Sequence, residues 1–200
     1  MESPLFVFDL GGVLLPFERG RRIGAMVEAL RIEAERAEVF LSSGIAERLD
    51  LGQAGLPELA SGMSELAGRE VSESEAKRLS LSVFETPNMP LWNAVAALRL
   101  GVRTAALSDN PTYVADIFPR ADAFDFVFWS ADLKITKPDS RVFEAVGART
   151  LTPPSDIVFI DDSLTNVRAA RASGWDGILF RSNSQLTLDL SVRGFPIGRL

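Results

Sequence analysis

Asp9, Ser108, Lys137, Asp161 and Asp162 are the residues of this chain whose types and positions could do chemistry together. Asp9 ends the apolar run of FVFDLGGVLLPF, Ser108 ends TAALS, Lys137 lies in the loop after a third run, and Asp161 and Asp162 end IVFIDD. Taken singly, each has a plain structural explanation as a turn residue, a helix cap or a solvated loop charge. Four consecutive runs ending in complementary groups point instead to one site, because an open parallel sheet binds ligands at the carboxyl ends of its strands.

The chemistry these groups allow is narrow. Asp9 and Asp162 bring two negative charges together, which is costly unless a cation sits between them. The chain has no histidine and no cysteine, so zinc sites built on those residues and Ser-His-Asp or Cys-His catalysis are excluded. Oxygen ligands alone suit Mg²⁺, which pairs with phosphate oxygens. Lys137 can neutralise charge on a bound group and on Asp9, while Ser108 and nearby amides can donate to its oxygens. Positioning with charge stabilisation is the main demand of phosphoryl transfer, with Asp9 as the nucleophile that forms an aspartyl-phosphate.

The elements that must position these groups are legible as continuous apolar runs at 5–9, 103–108, 124–129, 156–161 and 177–180, the pattern of buried parallel strands. Helical patterns separate the later ones: Leu91, Val95 and Leu98 with Gly101 as a stop, Val142, Phe143 and Val146 opened by Pro138, and 166–173 ended by Gly174. The expected fold is therefore α/β, a doubly wound, Rossmann-like parallel sheet with right-handed crossovers. Residues 18–88 show helical periodicity and no convincing strand, with helices near 20–31, 33–42, 45–50, 57–67 and 73–84. Roughly seventy residues exceed an ordinary crossover, so this stretch is expected to be an all-helical cap over the strand ends, and 1–17 with 89–200 the core.

Composition narrows the setting. Two hundred residues, 46% of them hydrophobic, suffice for one sizeable core or a core with an insert. A net charge of −6 argues against a nucleic-acid surface, and the small basic clusters Arg19/Arg21/Arg22 and Arg168/Arg171 do not reverse it. Without cysteines, a signal-like segment or a membrane-length apolar run, the expectation is a cytoplasmic protein, monomer or homodimer, with a small-molecule substrate and no nucleic acid or membrane partner.

With FVFDLGGVL, TAALSDN, KITKPDSRVFEAV and IVFIDDSLTNVRAARASGW in this order, the chain resembles the haloacid dehalogenase (HAD) superfamily, in the branch with a helical cap inserted after the first strand. The first and last stretches are specific, and the Ser108 element is weak alone. The resemblance implies Asp9 as nucleophile, with Ser108 and Lys137 holding the phosphoryl group and Asn110 near the substrate. It implies Mg²⁺ on an Asp9 oxygen, the Gly11 carbonyl and Asp162, with Asp161 bound directly or through water. The departure is Gly11, where phosphatases of the family usually carry an aspartate that transfers protons. Loss of such a group typically costs about 10²–10⁴-fold, and predicts a bias toward good leaving groups. Relatives that cleave carbon–halogen bonds also lack that aspartate, but they generally lack the paired acids of the fourth motif. The leading expectation is thus a Mg²⁺-dependent phosphatase of a small metabolite; the alternatives are a 2-haloacid dehalogenase and a non-catalytic binding or regulatory member of the fold.

Overall fold

The computed structural model describes residues 3–195, so the outermost ends of the expected core lie outside the described residues. Five parallel strands, β1 (Leu5–Phe8), β2 (Arg103–Ser108), β3 (Phe126–Trp129), β4 (Ile157–Asp161) and β5 (Asp176–Leu179), form one sheet in the order β3-β2-β1-β4-β5. β1 is central, with Phe8 in register with both Ala106 of β2 and Ile160 of β4. Alternate side chains of β1 enter different cores, as the strand pleat requires. Phe6 and Phe8 join Trp92 and Leu186, whereas Leu5 and Val7 join Val142 and Phe143. The first core is covered by α6 (Met89–Leu98) and α10 (Asn183–Val192), the second by α8 (Ser140–Thr150) and α9 (Leu164–Ala172). Helices on both faces of a parallel sheet are the doubly wound arrangement expected from the sequence.

Between β1 and β2 lie α1 (Arg19–Leu30), α2 (Ala34–Phe40), α3 (Ala46–Asp50), α4 (Leu56–Ala67) and α5 (Glu73–Leu81). They close around an apolar cluster of their own, with Met26, Leu30, Leu49, Leu59, Met63 and Leu79 buried together. The two connections to the sheet are paired: the Glu18 amide donates to the Val83 carbonyl at 2.9 Å, and that of Glu85 to the Pro16 carbonyl at 2.7 Å.

Several boundaries differ from the sequence expectation. β3 starts at Phe126 because Phe124 turns aside to pack on Trp92 and Phe118. β5 runs from Asp176 to Leu179, one residue earlier than expected. Pro138 lies outside α8, whose first turn is capped by Asp139 accepting from the Arg141 amide. The helix expected from residue 45 is entered through a wide turn, Leu41–Ile45, in which Gly44 takes φ +84°. The segment after β5, where periodicity assigns no element, is α10.

Candidate active site

The register of β1 against β4 sets Asp9 beside Asp161, and the Asp9 amide continues the ladder by donating to the Ile160 carbonyl at 2.8 Å. Lys137 reaches between the two acids from the loop before α8. Its Nζ lies 2.9 Å from Asp9 Oδ1 and 3.0 Å from Asp161 Oδ2, and donates to the Leu107 carbonyl at 3.3 Å. All three residues are buried, at 8%, 7% and 0% exposure for Asp9, Lys137 and Asp161. Asp9 Oδ1 also accepts from the Leu10 amide at 2.7 Å, so among the described residues its second oxygen is left for the cavity.

Asp161 is fully engaged. Its oxygens accept from the Ser163 amide at 2.7 Å and from Asn166 Nδ2 at 3.0 and 3.2 Å, besides Lys137. Ser163 caps α9, which turns Asn166 back toward the strand end. Asp162, next in the chain, is exposed and faces the loop after β1. Gly12 crosses it with φ +71°, where a Cβ would stand 2.1 Å from an Asp162 carboxylate oxygen. Only glycine tolerates both that φ and that approach.

Charge in this corner is unbalanced. Burial alone would lower the Lys137 pKa, but Asp9, Asp161 and Asp109 outweigh it and hold the ammonium above the ordinary lysine range. Burial pushes Asp9 well up, and Asp161 adds to this against the pull of Lys137. Burial and Asp161 likewise raise Asp162. One ammonium thus serves several acids, and one carboxylate oxygen from each of Asp9, Asp161 and Asp162 lies within 4.8 Å of the others. A hard divalent cation fits that donor set and that charge deficit.

A cavity of about 410 Å³ lies between the strand ends and the helical lobe. Asp9, Gly11, Asp109, Asn110, Lys137 and Asp162 form its core-side wall, and Arg22, Glu47, Asp50, Ser80 and Phe84 are among those facing them. Ser108 and Asp161 are not part of the wall. Ser108 is buried, its hydroxyl accepting from Asn110 Nδ2 at 2.9 Å, so Asn110 is the one of this pair that reaches the cavity. Sequence reasoning missed Asp109, whose Oδ1 accepts from the Lys137 amide at 3.1 Å, and Asn166. Both follow a recognised strand end within a few residues, which was the available signal. It also missed Arg22, Asp50 and Tyr113, which no local pattern separates from surface residues.

Tyr113 and Ser80 share a 2.9 Å hydrogen bond across the lobe boundary. Arg22, lowered by burial, has a buried Nε with no partner among the described residues. Burial, and secondarily Asp109, raise the Asp50 carboxyl to about 7 against the opposing charge of Arg22.

Residues 4–174 match the family model of haloacid dehalogenase-like hydrolases. Over 197 residues the chain is 24% identical to a D-ribitol-5-phosphate phosphatase of Bacteroides thetaiotaomicron, covering 93% of this chain and 96% of that protein. A HAD-family enzyme from the same organism superposes with a TM-score of 0.83 at 22% identity, covering 95% of this chain and 99% of the other. The wild-type complex of that enzyme with magnesium and inorganic phosphate superposes at 0.80 and 24% identity, covering 92% and 98%. A family match over most of its length, carried on this sheet and these strand-end acids, makes the chain a member of the haloacid dehalogenase-like hydrolases.

Proposed function

We propose that the protein is a Mg²⁺-dependent phosphatase of small phosphorylated metabolites that works through an aspartyl-phosphate on Asp9. The observation that carries this is the Asp9 carboxylate: one oxygen is fixed by Lys137 and the Leu10 amide, and the other faces a cavity lined by further acids. Asp9, the Gly11 carbonyl and Asp162 would hold the metal, and Asp161 would act indirectly, since its oxygens are already taken up by Lys137, Asn166 and the Ser163 amide. When bound, the cation supplies positive charge against the phosphoryl oxygens. Lys137 orients Asp9 and offsets its charge, while Asn110, whose amide is tied to Ser108 Oγ, lines the cavity where it would meet the phosphoryl oxygens. The helices of residues 18–88 act as a cap that shields the reaction from water. Similarity to a phosphatase of a sugar-alcohol phosphate supports a substrate of that size.

Gly11 favours a second reading, dehalogenation by Asp9 attack on carbon, but that chemistry has no use for the acid cluster of Asp9, Asp161 and Asp162. The discriminating experiment measures phosphate release from alkyl and aryl phosphates, and halide release from a short 2-haloacid, each with Mg²⁺ and with EDTA. Phosphate release that chelation abolishes is expected. Chelation-resistant halide release, or no phosphoester turnover, would contradict the proposal.

A further inference from the structure

Gly11 has no side chain to move a proton, so a phosphatase built on Asp9 must find its acid and base elsewhere in the cavity. The acids bordering it are few, and most are committed. Asp9 and Asp162 belong to the phosphoryl and metal corner. Asp109 is bound by the Lys137 amide at 3.1 Å, and Glu47 is exposed to solvent. Tyr113 is tied to Ser80, and burial pushes its pKa above the ordinary phenol range. Asp50 remains. It borders the same cavity as Asp9, is only partly exposed, and its carboxylate takes no hydrogen bond or ion pair among the described residues.

Asp50 is also the lobe residue held firmly to the core. Ser130 Oγ donates to its backbone carbonyl at 2.6 Å, and Lys134 Nζ donates to the Gly52 carbonyl at 2.8 Å. Gly52 sits so close to α7 (Ser130–Leu133) that a Cβ would lie 2.3 Å from the Ala131 carbonyl oxygen. Two polar clasps and one backbone contact therefore fix the end of α3 relative to the strand ends, a precision that proton transfer needs.

We propose that Asp50, carried on the helical lobe, is the proton donor and acceptor that Gly11 cannot be. This rests on the phosphoryl-transfer reading above. In the first step an Asp9 oxygen bonds to phosphorus as the bond to the leaving oxygen breaks. That oxygen keeps the electron pair and takes the Asp50 proton, leaving as the alcohol. In the second step Asp50 accepts a proton from water as the water oxygen bonds to phosphorus. The bond to Asp9 breaks with its electron pair returning to the carboxylate, giving inorganic phosphate and a protonated Asp50. The charges that act on the Asp50 carboxyl are Arg22 from α1, Glu47 on its own helix and Asp109 from the segment after β2, and Tyr113 of that segment feels its charge; Arg19 lines the same cavity, and Lys134 after α7 is held at the Gly52 carbonyl. The position of Asp50 near 7 keeps both protonation states populated at neutral pH. The bias toward good leaving groups expected from Gly11 then belongs to an Asp50 variant and not to the parent protein.

The test is rapid-quench kinetics on the Mg²⁺-loaded protein and its Asp50→Asn variant, with an alkyl and a nitrophenyl phosphate. In the variant, the first turnover of the alkyl ester should fall about 10²–10⁴-fold, as for loss of a general acid. The nitrophenyl ester, which needs no proton, should give a burst followed by a slow phase as phosphoenzyme accumulates. In the parent, the alkyl first-turnover rate should decline as pH rises through about 7. Arg22→Gln should move that decline to higher pH, because the guanidinium holds the Asp50 pKa down. Equal loss on both esters without a burst, or a pH profile that Arg22→Gln leaves in place, would overturn the role of Asp50. No turnover of either ester by the parent would instead overturn the underlying phosphatase reading.

Discussion

Asp50 exposes a cost that the proposed chemistry imposes on the fold. An aspartate raised from 3.8 to about 7 keeps its proton in the folded chain while the unfolded chain loses it. Stability from this residue is therefore complete only below the unfolded value of 3.8, is lost as pH rises through about 7, and stays low above that. At about 1.4 kcal/mol per pH unit, discounted for partial exposure, the loss is on the order of 2 kcal/mol. Asp50→Asn should accordingly raise the unfolding free energy, read by urea titration, at pH 8 by that amount and change it far less at pH 4.5. A destabilised variant at pH 8 would mean that the ionised carboxylate is well satisfied in the fold. Such opposition between activity and stability is usual for functional sites. Asp9, Asp161 and Asp162 were legible in the sequence because each follows a continuous apolar run. Asp50 and Arg22 were not, because a cap residue in an amphipathic helix carries the same local pattern whether it faces water or a cavity.

At the scale of elements, the sheet imposes the site and the lobe completes it. β1 and β4 bring Asp9 and Asp161 side by side through their register, so no long-range coincidence is needed. The lobe depends on contacts that no periodicity reports, chiefly the Ser130 and Lys134 hydrogen bonds at the end of α3. Gly52→Ala tests that dependence, because it meets both a φ of +58° and the Ala131 carbonyl. The variant is expected to lose about 1–3 kcal/mol of stability from strain and overpacking. It should also lose at least tenfold in kcat on an alkyl phosphate, while phosphate binding, read by calorimetry, changes little. Unchanged kcat would mean that the clasp does not position the lobe for chemistry. α10 shows why some elements escape sequence reading. Leu186, Leu188 and Leu190 alternate as in a strand, yet only the first and last are buried, while Leu188 is 68% exposed. Spacing by four on one helix face, and not the alternation, decided the outcome.

At the scale of the molecule, one apolar core among the described residues belongs to the helical lobe and two to the faces of the sheet, and the cavity lies where lobe and sheet meet. Continuous apolar strands made the sheet legible, and helical periodicity without strands did the same for the lobe. What lies across the cavity is set by how the two pack, which depends on paired connections and a few clasps. The acid-rich corner beneath it, with one lysine among several carboxylates, is the feature on which the functional account stands. The most direct measurement is to quench the protein during turnover of a phosphoester and locate the covalent phosphoryl group by peptide mass spectrometry. Phosphoryl on Asp9 is expected when Mg²⁺ is present, and none in Asp9→Asn or after chelation. Phosphate release with no phosphoryl group on Asp9, or undiminished turnover by Asp9→Asn, would contradict it.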